Sequence, residues 1–110
     1  MKDKLYLMNI LESVELIEKY VKGKKELDLR RSPMIRDAVS KRFEEIGENI
    51  NKLSPTLKKN KKVMWKEFVE VRNFLTHVYQ MVNVLKLWNV IKKDLPSFKK
   101  EILKIKKELK

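Results

Sequence analysis

The chain reads as all-α, an antiparallel four-helix bundle with a kinked or extra C-terminal helix. Three observations predict this. Only two Gly and three Pro occur in 110 residues. Apolar residues recur at three- and four-residue steps, the spacing of one helix face. No segment sustains the two-residue alternation of a half-buried strand. The length is the usual size of one domain, so residues 1–110 are expected to form a single helical unit.

The first helix is expected over about Lys2 to Lys22, where Leu7, Leu11, Val14, Ile17 and Val21 form an apolar stripe. Gly23 supplies a stop, and a charged loop is expected to run on through Arg31. Ser32-Pro33 opens the second helix, with Ser as N-cap and Pro pre-organised for the first helical position. Its inner face is Ile35, Val39, Ile46, Ile50 and Leu53. Gly47 inside it costs about 1 kcal/mol relative to Ala, which close approach of another helix would explain. Ser54-Pro55 repeats the start signal for a short turn, Thr56 to Asn60, leading into a Lys-rich loop. The third helix begins near Met64 and carries Trp65, Phe68, Val71 and Leu75. A fourth begins near Asn83 with Val84, Leu87, Trp88 and Ile91, and Pro96 breaks or kinks it. The last segment, Ser97 to Lys110, is amphipathic through Phe98, Ile102, Ile105 and Leu109. The five Met are expected to fill gaps in the core.

Composition excludes several chemistries. With no Cys there is no disulfide, no thiolate nucleophile and no Cys-based metal site, and a single His rules out a His-pair motif. No segment approaches the roughly 20 apolar residues that span a bilayer. Glu12 and Glu15 interrupt the basic start, so it does not read as a signal peptide. A soluble cytoplasmic protein without a cofactor or membrane partner is the expectation. The net charge of +12 is uneven: residues 1–50 carry 11 basic and 10 acidic side chains, residues 51–110 carry 16 and 5. The second half is the half suited to a polyanion, or to an acidic protein. Against a purely nucleic-acid-binding role, Phe43, Phe68, Trp65, Trp88 and Phe98 sit at core spacing rather than free for base stacking.

Chemistry concentrates in Arg72-Asn73-Phe74-Leu75-Thr76-His77-Val78-Tyr79. It holds the only His and one of five Arg, in a chain with 22 Lys. Arg offers a planar, always-charged fork that grips phosphate bidentately, which Lys does not. His is the residue type suited to proton transfer near neutral pH. On a straight helix Arg72 and Tyr79 share a face and so do Asn73 and His77, but Arg72 and His77 diverge by about 140°. Either the helix ends or bulges near Thr76, or two copies of the chain face their motifs across a cleft. A two-fold dimer would also supply the base and the acid that metal-free RNA cleavage needs, since it places two His in one site. The same residues admit a structural reading, with His77 capping a helix end, Arg72 paired with Glu70 or Glu48, and Tyr79 in the core. Glu44, Glu45 and Glu48 read as solvent-facing or as partners of Lys41, Arg42 and Lys52. Glu48 could also reach the motif helix if Gly47 marks a close crossing.

This stretch resembles the R-x-x-x-x-H-x-Y motif of HEPN domains, specifically the HepT-like toxins that partner MNT-type nucleotidyltransferase antitoxins. The resemblance extends to Ile35-Arg36-Asp37-Ala38-Val39, Glu45-Ile46-Gly47-Glu48, Leu53-Ser54-Pro55, Trp65-Lys66-Glu67-Phe68, Trp88 and Asp94-Leu95-Pro96. It covers about residues 5–105. It implies a HEPN-like bundle that forms a homodimer with the motifs facing each other. It further implies a metal-independent endoribonuclease acting as a toxin on RNA, tRNA among the candidates. By motif match Arg72 and His77 are the catalytic pair, Asn73 supports them, and Tyr79 is the residue to which the antitoxin adds AMP. The family also holds members that act as non-catalytic nucleotide- or RNA-binding partners of a nucleotidyltransferase. Asn83 departs from the pattern, since relatives often have Asp there.

Overall fold

Apolar spacing places the long helices where the computed structural model has them; the model describes residues 2–109. Helix α1, Asp3–Val21, buries Leu7, Ile10, Leu11, Val14, Ile17 and Val21 along one stripe. Gly23 turns the chain out of it at φ 74°, a left-handed conformation that costs glycine nothing because it lacks Cβ.

The charged loop expected through Arg31 is instead a helix, α2, Glu26–Arg31. The Asp28 carboxylate accepts the Lys25 backbone N–H at 2.7 Å, Glu26 and Arg30 pair at 3.2 Å, and Leu29 is buried. These local bonds suffice for six residues, but one buried leucine leaves no period to read. Helix α3, Pro33–Lys52, starts as expected, with the Ser32 hydroxyl accepting the Ile35 N–H at 3.1 Å. It buries Val39, Phe43, Ile46 and Ile50, while Ile35 is only half-buried. The short α4, Pro55–Lys58, follows Ser54. Ser54 donates from its N–H (2.9 Å) and its hydroxyl (2.7 Å) to the buried carboxylate of Asp3, which ties the start of α4 to the start of α1.

The third long helix is interrupted. Helix α5 spans Trp65–Glu70, Val71 forms a turn, and α6 is only Arg72–Leu75. Val69, Val71, Asn73 and Thr76 are all weak helix formers, so nothing local holds the i→i−4 ladder here. Helix α7, Met81–Asn89, passes directly into a π-helical turn, Val90–Asp94, and then α8, Leu95–Glu108. Helical structure therefore runs through Pro96 without a gap, and the irregularity falls on the π-helical turn before it. The wider turn accommodates a residue that lacks an N–H and whose ring would clash with the carbonyl four residues back.

Helix α1 packs on α3 and α8, α5 packs on α3, and α2 bridges α3 and α7. The molecule is elongated, 43 × 25 × 20 Å. An aromatic column fills its centre. Phe68 lies between Phe98 (centroids 3.9 Å) and Phe43 (6.3 Å), and Trp65 meets Phe98 edge-on at 6.0 Å. Trp88 is half-buried beneath Lys92. The expectation that methionines fill the core fails for Met8, Met34 and Met81, which are exposed; Met64 is half-buried. Branched aliphatics and the Phe column already close the interior, and Met34 and Met81 sit in first helical turns at the surface. Met1 and Lys110 lie outside the described residues. Among those described, no helix is long and apolar enough to cross a membrane.

Candidate active site

The motif occupies the tip where the α5–α6 arm turns back into α7. After Leu75 the backbone tightens into successive i→i−3 bonds: His77 N–H to Phe74 O (3.1 Å), Val78 to Leu75 (3.2 Å) and Gln80 to His77 (3.1 Å). His77 thus stands in a turn beyond the helix, and the four-residue register between Asn73 and His77 does not hold. Within this stretch Leu75 and Val78 are buried and Phe74 packs half-buried against the core, whereas Arg72, Asn73, Thr76, His77 and Tyr79 are exposed.

The structure brings His77 and Tyr79 together. His77 Nδ1 lies 3.3 Å from the Tyr79 hydroxyl, with the rings edge-on at 5.9 Å. The contact serves either neutral tautomer, with the hydroxyl donating to a bare Nδ1 or accepting from Nδ1–H. Tyr79 is 64% exposed, which contradicts a core role for it.

Arg72 is placed from α3. A Cβ at Gly47 would lie 3.2 Å from Arg72 Cδ and 3.9 Å from Val69 Cα. The arginine stem therefore runs over bare backbone, the close crossing anticipated for that glycine. Among the described residues Arg72 forms no ion pair, with Glu70, Glu48 or any other carboxylate within 4.0 Å. Lys66 takes Glu70 instead at 3.8 Å, and Lys41 takes Glu45 at 3.2 Å. The guanidinium makes no hydrogen bond to His77 or Tyr79 within one chain. A buried structural ion pair is thus excluded for Arg72, and its charge stays open to solvent.

Asn83 is the residue that sequence reasoning undervalued. Its side-chain N–H donates to the His77 carbonyl at 2.8 Å and lies 3.4 Å from Gln80 Oε1, and the residue is buried. The His77 carbonyl, which already accepts the Gln80 N–H, thus takes a second hydrogen bond, and a carboxylate at position 83 would supply no donor for it. Beside the motif, Met81 (56% exposed), Val82 (57%) and Leu85 lie uncovered on α7. Among the described residues no group of three or more His, Asp or Glu is gathered closely enough to hold a metal ion.

A family model described as ribonuclease HepT-like matches residues 10–105. The chain belongs to that family. A Methanocaldococcus jannaschii protein named "gamma-glutamylcyclotransferase and putative RNase" is 48% identical over 96% of this chain. The match spans only 48% of that relative, so the chain corresponds to about half its length. A second M. jannaschii protein, a "putative RNase", is 35% identical over 90% of this chain and 92% of its own. A "probable ribonuclease HepT" from Thermococcus cleftensis is 32% identical over 93% of this chain and 94% of its own. No solved structure matches the chain. The HepT-like assignment agrees with the all-helical architecture.

Proposed function

We propose that this chain is an endoribonuclease toxin that cleaves RNA without a metal, in a site shared by two copies, and that AMP addition to Tyr79 silences it. One observation carries the reading. At an exposed tip, the only His stands 3.3 Å from Tyr79, beside uncovered Met81, Val82 and Leu85, with an unpaired Arg72 on the preceding helix. The family membership and the names of the relatives support RNA as the substrate.

A two-fold contact through α7 would cover the apolar residues and supply two His and two Arg to one cleft. One His77 takes the proton of a 2′-hydroxyl as that oxygen attacks phosphorus. The other gives a proton to the departing 5′-oxygen. The products are a 2′,3′-cyclic phosphate and a 5′-hydroxyl end. Arg72 stabilises the charge on the phosphoryl oxygens, and Asn73 supports it from the same exposed turn. A nucleotidyltransferase of the MNT type, acting as antitoxin, would transfer AMP from ATP to the Tyr79 hydroxyl, with pyrophosphate leaving. That removes the hydroxyl proton beside His77 Nδ1 and sets an anion where the RNA phosphate must dock.

The chemistry of the new ends tests the mechanism. Protein held in EDTA should leave 5′-hydroxyl and 2′,3′-cyclic phosphate termini on cellular RNA. Termini bearing 5′-phosphate would refute attack by the 2′-hydroxyl. Incubation with the nucleotidyltransferase and ATP should add AMP mass to the wild type and none to Tyr79→Phe.

A further inference from the structure

The charge excess of the second half has a definite location away from the motif. Helix α8 carries Lys99, Lys100, Lys104, Lys106 and Lys107 against Glu101 and Glu108. Lys100, Lys104 and Lys107 are exposed and recur at steps of four and three, so their ammonium groups line one face over about 10 Å. Between them runs an open groove of about 520 Å³, floored by Pro96 and Leu103. Lys99 is engaged by Glu18 at 2.9 Å and Lys104 meets Glu101 at 3.6 Å. Among the described residues Lys100 and Lys107 have no carboxylate within 4.0 Å. Lys62, from the basic loop before α5, shares a neighbouring cleft with Lys100 and extends the charge. On the other side of Leu103, the groove toward α1 carries Glu12 and Glu15. With Lys106 also on that side and Glu101 in the Lys62–Lys100 cleft, lysines outnumber carboxylates on one flank of α8 and are outnumbered on the other.

We infer that the Lys100–Lys104–Lys107 face of α8 is a second RNA-binding site, which holds the phosphate backbone of substrate remote from the cut. This rests on the reading of RNA as substrate. The groove has no aromatic ring to stack a base and no amide to read one, so it takes phosphates without regard to sequence. Continuous helix separates Gln80 from Lys100, 20 residues or about 30 Å of axis. At about 3.4 Å per stacked nucleotide, a stacked strand needs roughly nine nucleotides to touch both sites of one chain, and four nucleotides fall short.

The test is binding of a 25-nucleotide and a 4-nucleotide single-stranded RNA in EDTA, by fluorescence anisotropy, in a His77→Ala background that prevents cleavage. Lys100→Gln, Lys104→Gln and Lys107→Gln are combined. Lys24→Gln, Lys25→Gln and Lys41→Gln, three exposed lysines elsewhere, form the charge-matched control. The α8 triple should lose about tenfold in affinity for the long RNA. Its log–log salt slope should be shallower by about 2, since each phosphate left without its lysine removes roughly 0.7. The control triple should be unaffected, and the short RNA, which cannot bridge the two sites, should lose clearly less than the long one. Equal losses in both triples, or none in the α8 triple, would overturn the assignment. Unchanged RNA binding with lost binding of polyglutamate would overturn it in favour of an acidic protein partner. Lys100→Gln alone, which removes no ion pair, repeats the test at a site where folding is not at stake. Wild-type protein that binds in this pattern yet never cleaves would leave the α8 site standing and refute the nuclease reading alone.

Discussion

At position 83 an amide and a carboxylate have opposite effects on the turn that holds His77. The buried Asn83 N–H group donates at 2.8 Å to the His77 carbonyl, beside the Gln80 N–H that the same oxygen accepts. Asn83→Asp would face that carbonyl with an acceptor, leaving two oxygens opposed. The expected cost is about 1–3 kcal/mol in urea unfolding, with RNA cleavage reduced because His77 is no longer fixed. An Asp variant as stable and as active as the wild type would contradict the role given to this hydrogen bond. Gly47 makes a contrasting case. In Gly47→Ala the gain in helix propensity is up to about 1 kcal/mol, while the new methyl sits 3.2 Å from Arg72 Cδ and must displace that stem. Thermal stability should hold or rise while cleavage falls. Activity that stays level would mean that Gly47 does not position Arg72.

Elements that bury a repeated apolar face were legible from spacing. The stripe of α1, the Ser32-Pro33 start of α3 and the buried positions Phe98, Ile102 and Ile105 of α8 all stand where periodicity put them. Elements held by one-off interactions were not. Helix α2 rests on a capping carboxylate, one ion pair and one leucine, and the break at Val71 arises from weak helix formers that a stripe of Trp65, Phe68, Val71 and Leu75 conceals. The motif followed the same division. Residue types pointed to Arg72, His77 and Tyr79, but the tight turn that joins His77 to Tyr79 and the Asn83 bond that holds it are tertiary and local details without a sequence period. Helix α2 matters to the site because it packs against α7. Leu29→Ala should cost about 2–5 kcal/mol for a fully buried leucine. Chemical denaturation measures it, and a destabilisation below about 1 kcal/mol would show that α2 is an appendage.

Taken as a whole molecule, the elongated bundle carries an uncovered apolar patch at the motif end and a lysine face on α8 toward the other end. The apolar patch is where a second copy is proposed to dock. Leu85→Glu, on an exposed α7 position, should leave the monomer folded, shift the sedimenting mass to that of one chain and abolish cleavage together. A variant that stays dimeric, or a monomer that still cleaves, would contradict a shared site.

The exposed His77 is proposed to perform acid–base chemistry on RNA. Cleavage of total cellular RNA in EDTA, by purified wild type beside His77→Ala and with intact masses recorded, tests it most directly. Unmodified wild type should cleave, and the mutant should be slower by about 10²–10⁴-fold. Equal cleavage by both proteins would contradict it, as would none from wild type whose mass shows no added AMP.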